Sequence, residues 1–204
     1  MPSLIVAIAA LMFSIASFWW LQARRGKLKM SSIPAFSGHL AQNGRIALRL
    51  PVLLYNSGAR TRVVDEIRLV IPSWDHPLGE WQTFHATLEP RSGSTDRDDF
   101  AGPYAIDGRR TEMRFVKFTH SVQGRLPEPT ATHALMEARL DGSDTWQTIA
   151  PFTLYLAHMA HPEIYAVYRN RPAPCEGEPE STKNAWAALA HKRGIVAPWS
   201  SSTR

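Results

Sequence analysis

The chain has 204 residues, 23 Lys and Arg against 18 Asp and Glu, and one cysteine. A single cysteine excludes an intramolecular disulfide, which agrees with a reducing compartment. Four of the basic residues lie in one short stretch, 24–29. Without them 19 basic and 18 acidic residues remain, so the rest of the chain carries about +1 and interleaves its charges. A nucleic-acid-binding domain concentrates basic charge, and nucleic acid is not an expected partner.

From Leu4 to Leu21, "LIVAIAALMFSIASFWWL" contains no charge, proline or glycine. Eighteen residues at helical rise span about 27 Å, close to the hydrocarbon thickness of a bilayer. No face of this segment is polar, unlike a soluble amphipathic helix. Phe18, Trp19 and Trp20 stand at its end, where amphipathic rings favour the headgroup level. A cleavable signal would need a basic start and a small-residue cleavage site, whereas here "MPS" precedes the run and "LQARRGKLK" follows it. Residues 1–23 are therefore expected to be a transmembrane helix. Arg24, Arg25, Lys27 and Lys29 follow directly. The excess of positive charge on that side predicts an outside N-terminus and a cytoplasmic C-terminal domain at the cell membrane.

Residues 24–44 read as a basic juxtamembrane segment and linker, because "MSSIPAFSGHLAQNG" shows no clean period. A β-sandwich domain is expected over 45–160. "RIALRLPVLLYN" alternates Ile46, Leu48, Leu50 and Val52 on one face. Pro51 removes a ladder donor and predicts an edge strand or a bulge there. "NSGART" reads as a tight turn to a neighbouring strand, 62–72, with Val63, Ile67, Leu69 and Ile71 inward. Further strands are expected over 80–89, 100–106, 111–120, 132–140 and 145–158, with Trp81 and Trp146 in the core. The turns lie at Asp107-Gly108 and in "DGSD". Many short strands separated by turn signals, with no helices alternating between them, predict an all-β, antiparallel, immunoglobulin-like sandwich. Residues 161–204 read as a tail. It contains a proline- and glutamate-rich stretch and a short helix over 181–193, whose Trp186 and Leu189 would need a partner surface.

No pattern for chemistry emerges. "HMAH" places His158 and His161 three apart, but no third ligand follows at a zinc-site spacing. Asp75-His76, followed by His85 and Asp99, are acid-base residue types in loops, without a nucleophile or an orienting partner in sequence. Cys175 sits among prolines, where nothing lowers a thiol pKa. The expectation is no enzyme, no cofactor and no metal. Trp74, in the loop "PSWDHP", and Trp186 are the candidate protein-partner contacts. Phe18, Trp19, Trp20, Arg24, Arg25, Lys27 and Lys29 are the candidate membrane-interface residues.

The stretches "LLYNSGARTRVVDEIRLVI" and "GPYAIDGRRTEMRFVKF" resemble a pattern in uncharacterised bacterial single-pass, membrane-anchored β-sandwich proteins. There an N-x-G-x-R turn leads into an I-R-L strand after one N-terminal span. The resemblance covers residues 1 to about 158. It implies turn geometry for Asn56 and Gly58, surface positions for Arg60 and Arg68, and no activity. The leading functional expectation is a membrane-tethered module that binds a protein partner or scaffolds a complex. The alternatives are a ligand-binding sensor with a pocket near Trp74, or an enzyme using Asp75, His76 and Asp99.

Overall fold

A computed structural model describes residues 2–40, 45–73, 81–85, 98–100, 102–121, 126, 128–172 and 178–197. An N-terminal helix, α1 (Pro2–Phe18), runs on through a wider π-helical turn, Trp19–Ala23. Together they form one helix of 22 residues, long and apolar enough to cross a membrane, and none of it is buried in the rest of the protein. The one serine contact along it is the expected one: Ser14 Oγ donates to Ala10 O at 2.9 Å, one turn back.

Eleven strands follow among the described residues: β1 (Leu28–Met30), β2 (Ala35–Leu40), β3 (Arg45–Asn56), β4 (Arg62–Val70), β5 (Trp81–His85), β6 (Asp98–Phe100), β7 (Tyr104–Ile106), β8 (Thr111–Ser121), β9 (Ala131–Leu140), β10 (Gln147–Tyr155) and β11 (Ala166–Arg169). A C-terminal helix, α2, spans Glu178–Lys192. The strands form two antiparallel sheets. The larger has the order β11-β2-β3-β8-β5-β6, with β1 also on β3, and the smaller has the order β10-β9-β4-β7. One apolar cluster joins them: Leu48, Leu50, Val116 and Phe118 from the larger sheet, with Val64, Leu69, Met136 and Leu154 from the smaller.

Several expectations change. Within 24–44, expected as a juxtamembrane segment and linker, β1 and β2 both pair with β3. The periodicity of β2 was hidden because Phe36, Ser37 and Gly38 are all buried in succession. Within 161–204, expected as a tail, β11 extends the larger sheet and α2 packs into the core. β3 and β4 are not neighbours. The turn between them carries the chain from one sheet to the other, and Asp107-Gly108 does the same between β7 and β8.

Pro51 sits in neither an edge strand nor a bulge. Asn56 N–H donates across to Arg110 O, so even positions of β3 address β8. Leu53 O accepts from Ser31, so odd positions address the other side. There β2 ends at Arg49 and β1 begins at Leu54, and the missing proline donor falls in the gap between them. No ladder bond is lost.

The apolar face of β4 also changes phase. A bulge between Val64 and Glu66 makes Val64, rather than Val63, the fully buried residue, while Ile67 and Leu69 keep the predicted face. Its extra residue, Asp65, accepts Gly142 N–H at 2.7 Å, and Asp141 Oδ1 accepts Val63 N–H at 2.9 Å. The bulge is thus pinned by the β9–β10 turn, where Asp141 and Gly142 both take the positive φ values (57° and 74°) of a tight hairpin.

Trp146 is not in the core. It lies under two guanidinium groups, Arg68 at 4.2 Å and Arg139 at 4.8 Å. These arginines pair with the acids directly opposite them on the neighbouring strand, Arg68 with Glu137 and Arg139 with Glu66. Such cross-strand pairs stabilise a solvated sheet face by about 0.2–1 kcal/mol each. This face of the smaller sheet is a charged ladder.

Candidate functional site

The candidate membrane-interface residues surround the end of the apolar helix. Phe18, Trp19 and Trp20 are exposed, and the Arg24 guanidinium stacks 4.2 Å from the Trp20 ring. From there the chain is clamped to the domain without slack. Ala59 N–H donates to Arg24 O at 2.9 Å, and Arg62 Nη1 donates to Gly26 O at 2.8 Å. Lys27 N–H donates to Ser57 Oγ, which in turn donates to Lys27 O, at 2.9 and 2.8 Å. Arg109 Nη2 reaches back to Trp20 O at 2.9 Å, inside the helix end itself.

Glycine permits this approach. A Cβ on Gly26 would stand 1.8 Å from Gly58 N, and one on Gly58 would stand 2.0 Å from Gly26 N. A Cβ on Gly108 would fall 1.9 Å from Ala59 O, so a third backbone segment meets the same turn. Asn56 is the hub of the assembly and is fully buried. Its Nδ2 donates to Arg60 O at 2.7 Å and Ile106 O at 3.1 Å, and its Oδ1 accepts Gly58 N–H at 2.9 Å. A buried amide satisfied on both ends fixes the turn in one conformation.

Lys27 and Lys29 are exposed at this end, as is Arg25. Of the seven predicted membrane-interface residues, Trp20, Arg24 and Lys27 make the hydrogen bonds of this junction. Sequence reasoning missed Arg109 and the Gly26–Gly58 crossing, which no local pattern could reveal.

The candidate partner contacts fare differently. Trp74 lies outside the described residues, as do Asp75, His76 and Cys175. Trp186 is fully buried, and its indole N–H donates to Met159 O at 2.8 Å, so it is a core residue and offers nothing to a partner. His85 and Asp99 lie on the paired strands β5 and β6, and their side chains fall outside the described set.

His158 and His161 do not converge. His158 ends a short 3-10 turn with Nε2 2.6 Å from Arg171 O, and His161 contributes its carbonyl to Tyr168 OH. Among the described residues no group of three or more His, Cys, Asp and Glu could hold a metal ion. An open groove of about 590 Å³ lies between this segment and α2, lined by His161, Glu163, Ser181, Ala185 and Lys192.

One titratable group stands out on the outer face of the larger sheet. His39 packs 4.9 Å from the Tyr165 ring, and Arg49, itself buried, lies 5.3 Å from the same ring. His39 Nδ1 is buried without a hydrogen-bond partner. Burial holds its pKa below the usual histidine value, and Lys117 and Arg193 push it the same way. The unfolded chain therefore binds this proton before the folded one does. Stability contributed by neutral His39 is complete above the unfolded value and is lost as pH falls through it toward the lower folded pKa. Melting temperatures at pH 7 and pH 5 should show a drop for wild type that is smaller in His39→Gln; equal drops would refute the assignment.

No known protein-family model matches the chain, and no curated protein matches it.

Proposed function

We propose that the protein is a single-pass membrane module whose two sheets form a β-sandwich of immunoglobulin-like architecture, held on the cytoplasmic side to bind a protein partner or scaffold a membrane complex. The carrying observation is the junction. An apolar helix that buries nothing against its own domain is joined to that domain through hydrogen bonds and a glycine crossing, with no free linker. A module built to sweep a volume would have a flexible tether. One built to hold a surface at a set height over a bilayer would have this one.

The orientation is supported by the four basic residues that follow the helix. A protein contact is supported by the outer face of β3 and β8 near the junction. Tyr55 and Met113 are exposed there, on the face of the larger sheet away from the shared core. Large exposed apolar side chains next to a fixed membrane plane suit a partner that is itself in the membrane.

A photo-crosslinking residue at Met113 should capture one defined membrane protein in intact cells, and the same residue at Ala131, exposed at the opposite end of β9 from the junction, should not. Equal or absent capture at both positions would count against the partner. In the same cells a cysteine at Asp144 should react with an impermeant maleimide only after permeabilisation. Labelling of intact cells would reverse the orientation.

A further inference from the structure

The four basic residues that follow the helix in sequence are not the whole of the positive charge at the membrane end. Two turns are folded back onto segment 24–27. The first is the β3–β4 turn, held by Ala59 N–H on Arg24 O, and the second is the β7–β8 turn, held by Arg109 N–H on Gly58 O and Arg109 Nη2 on Trp20 O. The first carries Arg60 and the second Arg109 and Arg110, all three exposed. Arg109 also takes a left-handed backbone conformation, φ 58°, which a non-glycine residue adopts only when its surroundings fix it. The acid in these turns, Asp107, accepts from Thr61 Oγ1 at 3.1 Å.

Trp19 and Trp20 mark the headgroup level, and Arg109 touches the carbonyl of Trp20. We propose that Arg60, Arg109 and Arg110 complete, with Arg24 and Arg25, a folded arginine collar that binds the phosphate of anionic lipid headgroups around the helix. Guanidinium groups suit this ligand because they bind phosphate oxygens through paired donors. The two turns contribute charge that sequence proximity to the helix does not reveal. The collar also sets the tilt of the domain, because it draws two loops that each bridge the two sheets toward one plane.

The inference rests on α1 lying in a bilayer, and its test separates the two. The full chain is incorporated into nanodiscs of phosphatidylcholine with a minor fraction of phosphatidylglycerol. Co-elution with the disc reports the helix. Lipids retained after mild detergent stripping report the collar. Wild type should retain phosphatidylglycerol well above its share in the disc. In Arg60→Gln/Arg109→Gln/Arg110→Gln that enrichment should fall by up to about fivefold per charge at low salt, and wild-type enrichment should fade at high salt.

Arg109 also holds the helix end, so Arg60→Gln/Arg110→Gln is measured in parallel; these two side chains are exposed and their loss leaves the Arg109 contacts in place. A chain that enters discs but shows the same lipid enrichment in both variants as in wild type overturns the collar. So does an enrichment abolished by Arg24→Gln/Arg25→Gln yet untouched by the turn variants. A chain that fails to enter discs overturns the membrane reading beneath it.

Discussion

Trp186→Ala is expected to destabilise the protein by about 3–5 kcal/mol, the range for deleting a large buried aromatic. The indole is fully buried, shares the core cluster with Leu189 and Ala190, and donates to Met159 O at 2.8 Å. In a chain of this length each kcal/mol lowers Tm by about 2–4 °C, so a fall of about 6–20 °C is expected. Trp186→Phe keeps most of the volume and loses mainly the hydrogen bond, which costs about 1–2 kcal/mol. Thr182 at the start of α2 donates to Ala157 O, so the helix has a second buried anchor and should loosen as a unit. Amide exchange should therefore rise across α2 well before it rises in β3 and β8. The opposite result, unchanged Tm with weakened capture of a partner, would return Trp186 to the surface role that its sequence context suggests.

That contrast shows what was legible in the residues. The bounds of β3 could be read to the residue, because Ile46, Leu48, Leu50, Val52 and Leu54 alternate and all are buried. The face of β9 was legible in Ala134, Met136, Ala138 and Leu140, all buried, although those residue types would also suit a helix. A short helix carrying Trp186 was legible too, and so was its need for a covering surface. What could not be read was that the surface is the chain's own: Met159 and Ala157 are far from α2 in sequence, and no local signal links them.

β1 is only three residues long, too short to show a period, and β2 was illegible for another reason. A strand with both faces covered has no alternation, and "AFSGHL" buries Phe36, Ser37, Gly38 and Leu40. The change of phase in β4 escaped because a bulge depends on the partner strand. The apolar N-terminal helix was the plainest element, since hydrophobic length alone defines it, but the way it joins the domain was not visible at all. Asn56 and Gly58 are turn formers on any reading of "NSGART". Only the fold shows Gly58 meeting Gly26, and Asn56 bridging to Ile106 on the other sheet.

Gly58→Ala is the second large effect expected, and it bears on how the helix and the domain are coupled. The new Cβ would fall 2.0 Å from Gly26 N and 2.5 Å from Gly26 Cα, both backbone atoms that no rotamer change can move aside. Overpacking of this kind costs about 1–3 kcal/mol, at the upper end where the backbone itself must shift. The cost is purely steric, because Gly58 is not in a left-handed conformation.

Gly142→Ala makes the control. It has φ 74° and nothing within 4 Å of a Cβ, so it should lose only the conformational share, about 1 kcal/mol. The two variants should also differ in where the damage appears. With Gly58→Ala the clamp of Ser57 on Lys27 and of Arg62 on Gly26 must open first, which frees segment 24–30 while the rest of the core holds. Limited proteolysis after Arg24, Arg25 or Lys27 should then become rapid in Gly58→Ala and stay slow in Gly142→Ala at matched distance below Tm. Equal protection of that segment in both would mean the crossing does not hold the junction, and the domain would hang from its helix on a loose tether after all.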